Sequence, residues 1–202
     1  MHTKEMDHIQ NSLSFLGEEA EEVAELLHLA QPEGGIRYMA VARQFPEPEE
    51  LILAAWHWRL LIPSHAPSKS LAWENVMLSF APQALYKIPP AVREAVDLAA
   101  QTGVWQPHQA IIDSCPSLRG QAFKSVAEFL REIRFQEREL RISATALGRI
   151  MKRLRLRSSL DQLVLEFKAC GMLSPYLTST LGSFTGKSPM YELNPSLLRG
   201  EA

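Results

Sequence analysis

Residues 143–170 read SATALGRIMKRLRLRSSLDQLVLEFKAC, and the spacing of the apolar positions within them decides the fold. Leu147, Ile150, Met151 and Leu154 recur at helical intervals, so a helix is predicted from about Ser143 to Leu156. Ser159, with Gln162 three residues on, has the form of a capping box, and Leu160, Leu163, Val164 and Phe167 supply the apolar face of a second helix. Gly171 is suited to the left-handed residue that ends it. On the first helix Arg149, Lys152 and Arg153 fall opposite the apolar stripe and form a basic ridge, which Arg155 and Arg157 extend into the turn.

Working outward, a preceding helix from about Gln121 to Glu137 turns Phe123, Val126, Ala127, Leu130 and Ile133 inward. Beyond Gly171, Met172 to Leu177 and Met190 to Leu193 have strand composition and flank a Gly/Ser/Thr-rich loop that runs through Ser188. Three helices and a hairpin follow, ended by Asn194-Pro195.

The same order is predicted in the N-terminal half. Val23, Leu26, Leu27 and Ala30 make one helix face behind an acidic start of Glu18, Glu19, Glu21 and Glu22, and Pro32, Gly34 and Gly35 stop it. A short helix over Ile36 to Gln44 and another bearing Leu51, Ala54, Ala55 and Trp58 come next. Ile62-Pro63, a polar loop and Leu71 to Phe80 then suggest a hairpin. Between the halves, Pro82 to Pro90 reads as a connector, and Pro89-Pro90 opens a helix with Val92, Ala95, Val96 and Ala99 on one face, closed by Gly103. Val104 to Gly120 reads as irregular or as one short helix. The expected organisation is therefore a polar leader (1–17), an N-terminal module (18–82), a helical connector (83–120), a C-terminal module (121–195) and a tail (196–202), mainly α with small β-hairpins.

Three helices followed by a two-stranded hairpin resemble the winged-helix branch of the helix-turn-helix superfamily, so the expected architecture is a tandem repeat of winged-helix-like modules. The likeness is carried mainly by residues 121–195. It implies that Ser158 to Cys170 would read DNA in the major groove, that Leu173 to Tyr191 would form the wing, and that the protein would bind duplex DNA, as a transcriptional regulator does. An N-terminal third helix with Trp56, His57 and Trp58 but only one base, Arg59, fits that role less well. The alternative is a non-catalytic protein-interaction scaffold, in which the acidic N-terminal module holds a protein partner or a second copy of the chain.

Charge favours a polyanion at the C-terminal end. Residues 1–100 hold seven Lys/Arg against fourteen Asp/Glu and residues 101–202 hold fourteen against nine, net charges of −7 and +5 that the overall −2 conceals. The expected DNA contacts are Arg149, Lys152, Arg153, Arg157 and Lys187 to phosphates, Ser159 at a helix start, and Gln162 as a residue able to pair with adenine. Asp161 and Glu166 on the same helix would face phosphates unfavourably. Arg131, Arg134 and Arg138 are interleaved with Glu128, Glu132 and Glu137, which favours self-neutralised surface pairs. Trp56, Trp58, Trp73 and Phe80 are expected mostly in the core.

Other chemistries find little footing. The loop Gly182 to Ser188 is one residue short of the phosphate-loop spacing and precedes a strand-like segment rather than a helix. His108 and Cys115 lack an orienting third group, and the spacing of His57, His65 and Glu74 matches no established metal site. No enzyme activity, cofactor or metal is expected. Cys115 and Cys170 are too few for a disulfide framework and are expected to be reduced. The uncharged stretch Ala169 to Gly186 is broken by Gly171, Pro175 and Gly182, so it makes no spanning helix, and the polar start of the chain carries no secretion signal. A cytoplasmic location without membrane association is the expectation.

Overall fold

A computed structural model describes residues 2–32, 34–64, 72–73, 76–119, 123–136, 139–176 and 188–199. In the N-terminal half, α1 (His2–Ser12) and a 3-10 turn (Ser14–Glu19) lead into α2 (Ala20–Ala30). Then come β1 (Ile36–Arg37), α3 (Tyr38–Gln44), α4 (Pro48–His57), β2 (Ile62–Pro63) and β3 (Leu85–Lys87). The central helices are α5 (Pro90–Thr102), α6 (Pro107–Ser114) and α7 (Pro116–Arg119). The C-terminal half runs α8 (Phe123–Gln136), β4 (Arg141–Ser143), α9 (Ala144–Arg153), α10 (Leu160–Cys170), β5 (Leu173–Tyr176), β6 (Met190–Leu193) and α11 (Pro195–Leu198). Among the described residues the protein is mainly helical with two small antiparallel sheets.

Each half has the same plan: a helix, a short strand, two helices and two more strands, with the last strand at the centre of a three-stranded sheet. The orders are β1-β3-β2 and β4-β6-β5. In the first sheet Tyr86 stands opposite both Ile36 and Pro63; in the second Tyr191 stands opposite both Ile142 and Pro175. The expected hairpins are thus completed by β1 and β4, strands of two and three residues that are too short to show an alternating pattern.

The predicted helix faces are buried where expected in α2, α5 and α9, with Val23, Leu26, Leu27, Val92, Val96 and Leu147 fully enclosed. Each such aliphatic side chain contributes about 1.5–3 kcal/mol by leaving water. Two stretches differ from expectation. Residues 72–73 and 76–80 form no strand, although Leu71 to Phe80 has strand composition; the third strand is β3, inside the Pro82–Pro90 stretch. Pairing explains this: Tyr86 bonds both neighbouring strands and donates its hydroxyl to the Ser79 carbonyl at 2.5 Å, while the Trp73 amide donates to Ser174 Oγ at 2.7 Å in the other half. The Val104–Gly120 segment contains two helices, α6 and α7, each opened by a proline at its first position.

The segment expected as a polar leader is helical over His2–Ser12 and seats Ile9 in the core against α5. The expected tail begins with α11, whose Leu197 and Leu198 are buried.

One apolar core runs through both halves and the central helices. At the junction Arg59 donates to Glu192 at 2.7 Å and lies over the Trp56 ring, 4.1 Å from its centroid, with Trp73 at 5.5 Å. Asn194 Nδ2 donates to the carbonyls of Arg59 and Gly171, and Trp105 Nε1 to that of Ser196. Gly171, at the end of α10, has φ +81°, and a Cβ there would lie 2.4 Å from Pro89 Cβ. Only glycine meets both demands.

Candidate nucleic-acid interface

The basic ridge stands on α9. Ser143 caps the helix by accepting from the Ala146 amide at 3.1 Å, and Leu147, Ile150 and Met151 anchor its inner side. A 3.6-residue period then sends Arg149, Lys152 and Arg153 outward, and all three are exposed. The helix ends in an unusual way: Arg155, with φ +54°, occupies the left-handed position normally given to glycine, and the Leu156 amide donates back to the Met151 carbonyl at 3.0 Å. That reversal leaves Arg155 and Arg157 exposed beside the ridge.

Within the ridge, Arg153 is paired with Glu132 of α8 at 2.5 Å, with its side chain half exposed. Arg149, Lys152, Arg155 and Arg157 make no ion pair among the described residues. Lys187 lies outside the described residues, as do Glu137, Arg138, His65 and Glu74.

The neighbouring helix α10 is arranged differently from a free reader. Ser159 caps it by accepting from the Gln162 amide at 3.2 Å, but the Gln162 side chain does not close the capping box; it donates to Glu166 Oε1 at 3.1 Å. Glu166 in turn accepts from the Ser117 amide at 2.9 Å and hydroxyl at 2.6 Å, and the Ser158 hydroxyl donates to the Ser117 carbonyl at 3.1 Å. One flank of α10 is therefore clamped to α7. Burial raises the Glu166 pKa, yet the bonds from Ser117 and Gln162 outweigh it and hold the carboxyl below its ordinary value. The exposed side of α10 presents Asp161, Gln162, Leu165 and Ala169, with Leu165 67% exposed. That mixture gives a base edge little to pair with.

Among the dismissed chemistries, Cys115 is fully buried with its Sγ 3.6 Å from that of Cys170; both are free. The hydrogen bond to Cys170 and burial push the Cys115 thiol up, so it is a poor nucleophile. Among the described residues no group of three or more His, Cys, Asp or Glu is placed to hold a metal, and no helix is long and apolar enough to cross a membrane. Of the aromatics, Trp73 is buried, Trp58 and Phe80 pack partly buried against the core, and Trp56 carries the Arg59 stack. The Arg59 junction escaped sequence reasoning because Glu192 is 133 residues away; the sole basic residue beside Trp56 and Trp58 was its only trace.

A protein-family model matches residues 7–200, spanning both halves and the central helices, and the chain belongs to that family. The match carries no statement of activity. No curated protein and no solved structure matches the chain.

Proposed function

We propose that both halves are winged-helix modules and that the C-terminal one holds duplex DNA by its phosphate backbone, with no reaction involved. The observation that carries this reading is the set Arg149, Lys152, Arg155 and Arg157: four exposed cations within nine residues, free of ion pairs among the described residues. Arg153 joins them if a phosphate displaces Glu132, since an exposed pair is worth at most about 1 kcal/mol. Ser159 keeps its hydroxyl proton for a phosphate oxygen while its lone pair caps α10. The repeated strand order, with the last strand central, supports the winged-helix assignment. The clamped, mixed surface of α10 points to binding with little sequence preference.

Four phosphate contacts give a log–log salt slope of roughly −3.6, so raising salt fourfold weakens binding about 150-fold. Gel-shift titration of random duplex at 50 and 200 mM salt, concentrations at which such contacts are usually separated, measures this. Replacing Arg149 and Lys152 by Ala should halve the slope with the fold intact; a flat salt dependence, or an unchanged variant, removes the reading.

A second reading, a protein-interaction scaffold, has its own support. The third helix of each half exposes an acid beside a leucine: Asp161 with Leu165, and Glu50 with Leu53. Light scattering over a range of concentrations tests it for a second copy: a concentration-dependent mass lost in Leu53→Lys or Leu165→Lys supports self-association, and a constant monomer mass refutes it.

A further inference from the structure

The outer face of α8 carries one residue that the fold does not call for. Val126, Phe129, Leu130 and Ile133 are buried and define the side of the helix that meets the core. At about 3.6 residues per turn, Phe135 falls opposite that stripe, on the same side as the exposed Lys124 and Arg131. Its side chain is 86% exposed. An amphipathic helix is held by the apolar residues of its inner side, so a phenyl ring left in water contributes nothing to folding.

The ring stands at the edge of the basic ridge. Glu132 lies one turn before Phe135, and its carboxylate meets Arg153 of α9 at 2.5 Å. Side chains three apart on a helix are neighbours, with Cβ atoms about 5–6 Å from each other. Arg131 lies one turn before Phe135 on α8, and Arg149 one turn before Arg153 on α9. Neither makes an ion pair among the described residues. Phe135 is therefore bordered by Arg131 on its own helix and, across Glu132, by Arg153 of the next. Of the carboxylates on α8, Glu132 is taken by Arg153, and Glu128 is two turns from the ring.

Cations beside an exposed aromatic ring suit a single strand of nucleic acid, whose phosphates meet the charges while a base lies flat on the ring. Inside a duplex each base is stacked on both sides and offers the ring no face; where one strand leaves the duplex, an unpaired base does. We infer that Phe135 stacks on such a base, so that the C-terminal half binds the junction of single and double strand in preference to continuous duplex. This rests on the phosphate-holding ridge of the proposed function and adds the form of DNA that it holds. Arg131 takes a phosphate of the departing strand, while Arg149, Lys152, Arg155 and Arg157 keep the duplex. Stacking is tolerant of base identity, in keeping with the mixed, clamped surface of α10.

The test is fluorescence anisotropy of the full chain with three DNA probes: a blunt duplex, the same duplex with short thymidine extensions, and the same extensions made abasic. The abasic extensions keep the phosphates and lack the bases, so they separate stacking from charge. The thymidine probe should bind about five- to 150-fold more tightly than the abasic one, the range spanned by stacking one base on an aromatic ring. Phe135→Ala should bring those two probes to equal affinity and leave the blunt duplex unchanged, whereas Phe135→Trp should keep the difference. The ring lies in water, so the fold should persist in both variants, which circular dichroism checks. Arg149→Ala with Lys152→Ala should weaken all three probes. Equal binding of the thymidine and abasic probes, with the blunt duplex still held, would overturn the inference and leave the ridge standing; failure to hold any probe would remove both. An equal effect of Phe135→Ala on the blunt duplex, or a fall in molecular mass on light scattering in that variant, would also overturn it, by assigning the ring to paired DNA or to a second copy of the chain.

Discussion

Gly171→Ala probes how tightly the C-terminal half is fitted to the central helices. Two costs combine at this position. Its φ of +81° is unfavourable to any side chain, at about 1–2 kcal/mol, and the new methyl group would start 2.4 Å from Pro89 Cβ, an overlap worth about 1–3 kcal/mol once the neighbours shift. The sum is about 2–5 kcal/mol. Gly103 provides the control: its φ is +76°, but the nearest atom to an added Cβ is His8 Cδ2 at 3.6 Å, an ordinary contact. Gly103→Ala should therefore cost only the backbone part, about 1–2 kcal/mol. Urea unfolding followed by circular dichroism gives both values, and the difference between them, about 1–3 kcal/mol, isolates the contact. Adding Pro89→Gly deletes the obstructing atom, so the double variant should lose less than the two single losses combined. Equal losses for the two alanine variants, or strict additivity with Pro89→Gly, would refute the close approach of α10 to the start of α5.

Phe167→Ala removes a fully buried ring that packs 6.1 Å from Phe129 and should cost about 3–5 kcal/mol in urea unfolding, whereas Leu165→Ser on the exposed side should stay within about 0.5 kcal/mol. Ser159→Ala should cost about 1 kcal/mol through loss of the cap on α10, with the same assay as the check. Cys115 and Cys170 are both buried, so their thiols should resist diamide in the folded chain and react only after urea unfolds it, with mass spectrometry of the intact chain as the readout. Ready reaction of both thiols in the folded chain would contradict their burial. Glu166 is held below its ordinary pKa, so the stability that its bonds supply is fully present above the unfolded carboxylate pKa and is lost as pH falls through the lower folded value. Ser117→Ala should consequently open a gap in the urea midpoint at neutral pH that narrows in acid; a gap independent of pH would count against this origin.

Much of the helical framework was legible because its signals are local. The faces of α2, α5 and α9 follow from spacing alone, and Gly103 and Gly171 mark helix ends because their own backbone requires positive φ. The sheets were harder, since pairing is decided by distant partners. Leu71 to Phe80 carries strand-type residues but no strand among those described, while β3 sits between prolines where composition discourages it. In α1, Ile9 is a buried residue in a mostly polar helix, and nothing local reveals that α5 receives it. For the candidate site, helical phase placed Arg149, Lys152 and Arg153 on the surface correctly. It did not reveal the Arg153–Glu132 pair or the clamp between Ser117 and Glu166, because each joins separate elements.

The Arg59 junction governs how the whole chain can respond to anything it holds. With its guanidinium beside two indoles and paired to the Glu192 carboxylate, and its carbonyl taken by Asn194, swinging the halves apart would strip a largely buried cation of the Glu192 carboxylate and its carbonyl of the Asn194 amide. Such a molecule behaves like a calliper with its screw tightened. The span from one sheet to the other is set when the chain folds, and a bound object is gauged against that span instead of being grasped by closing jaws.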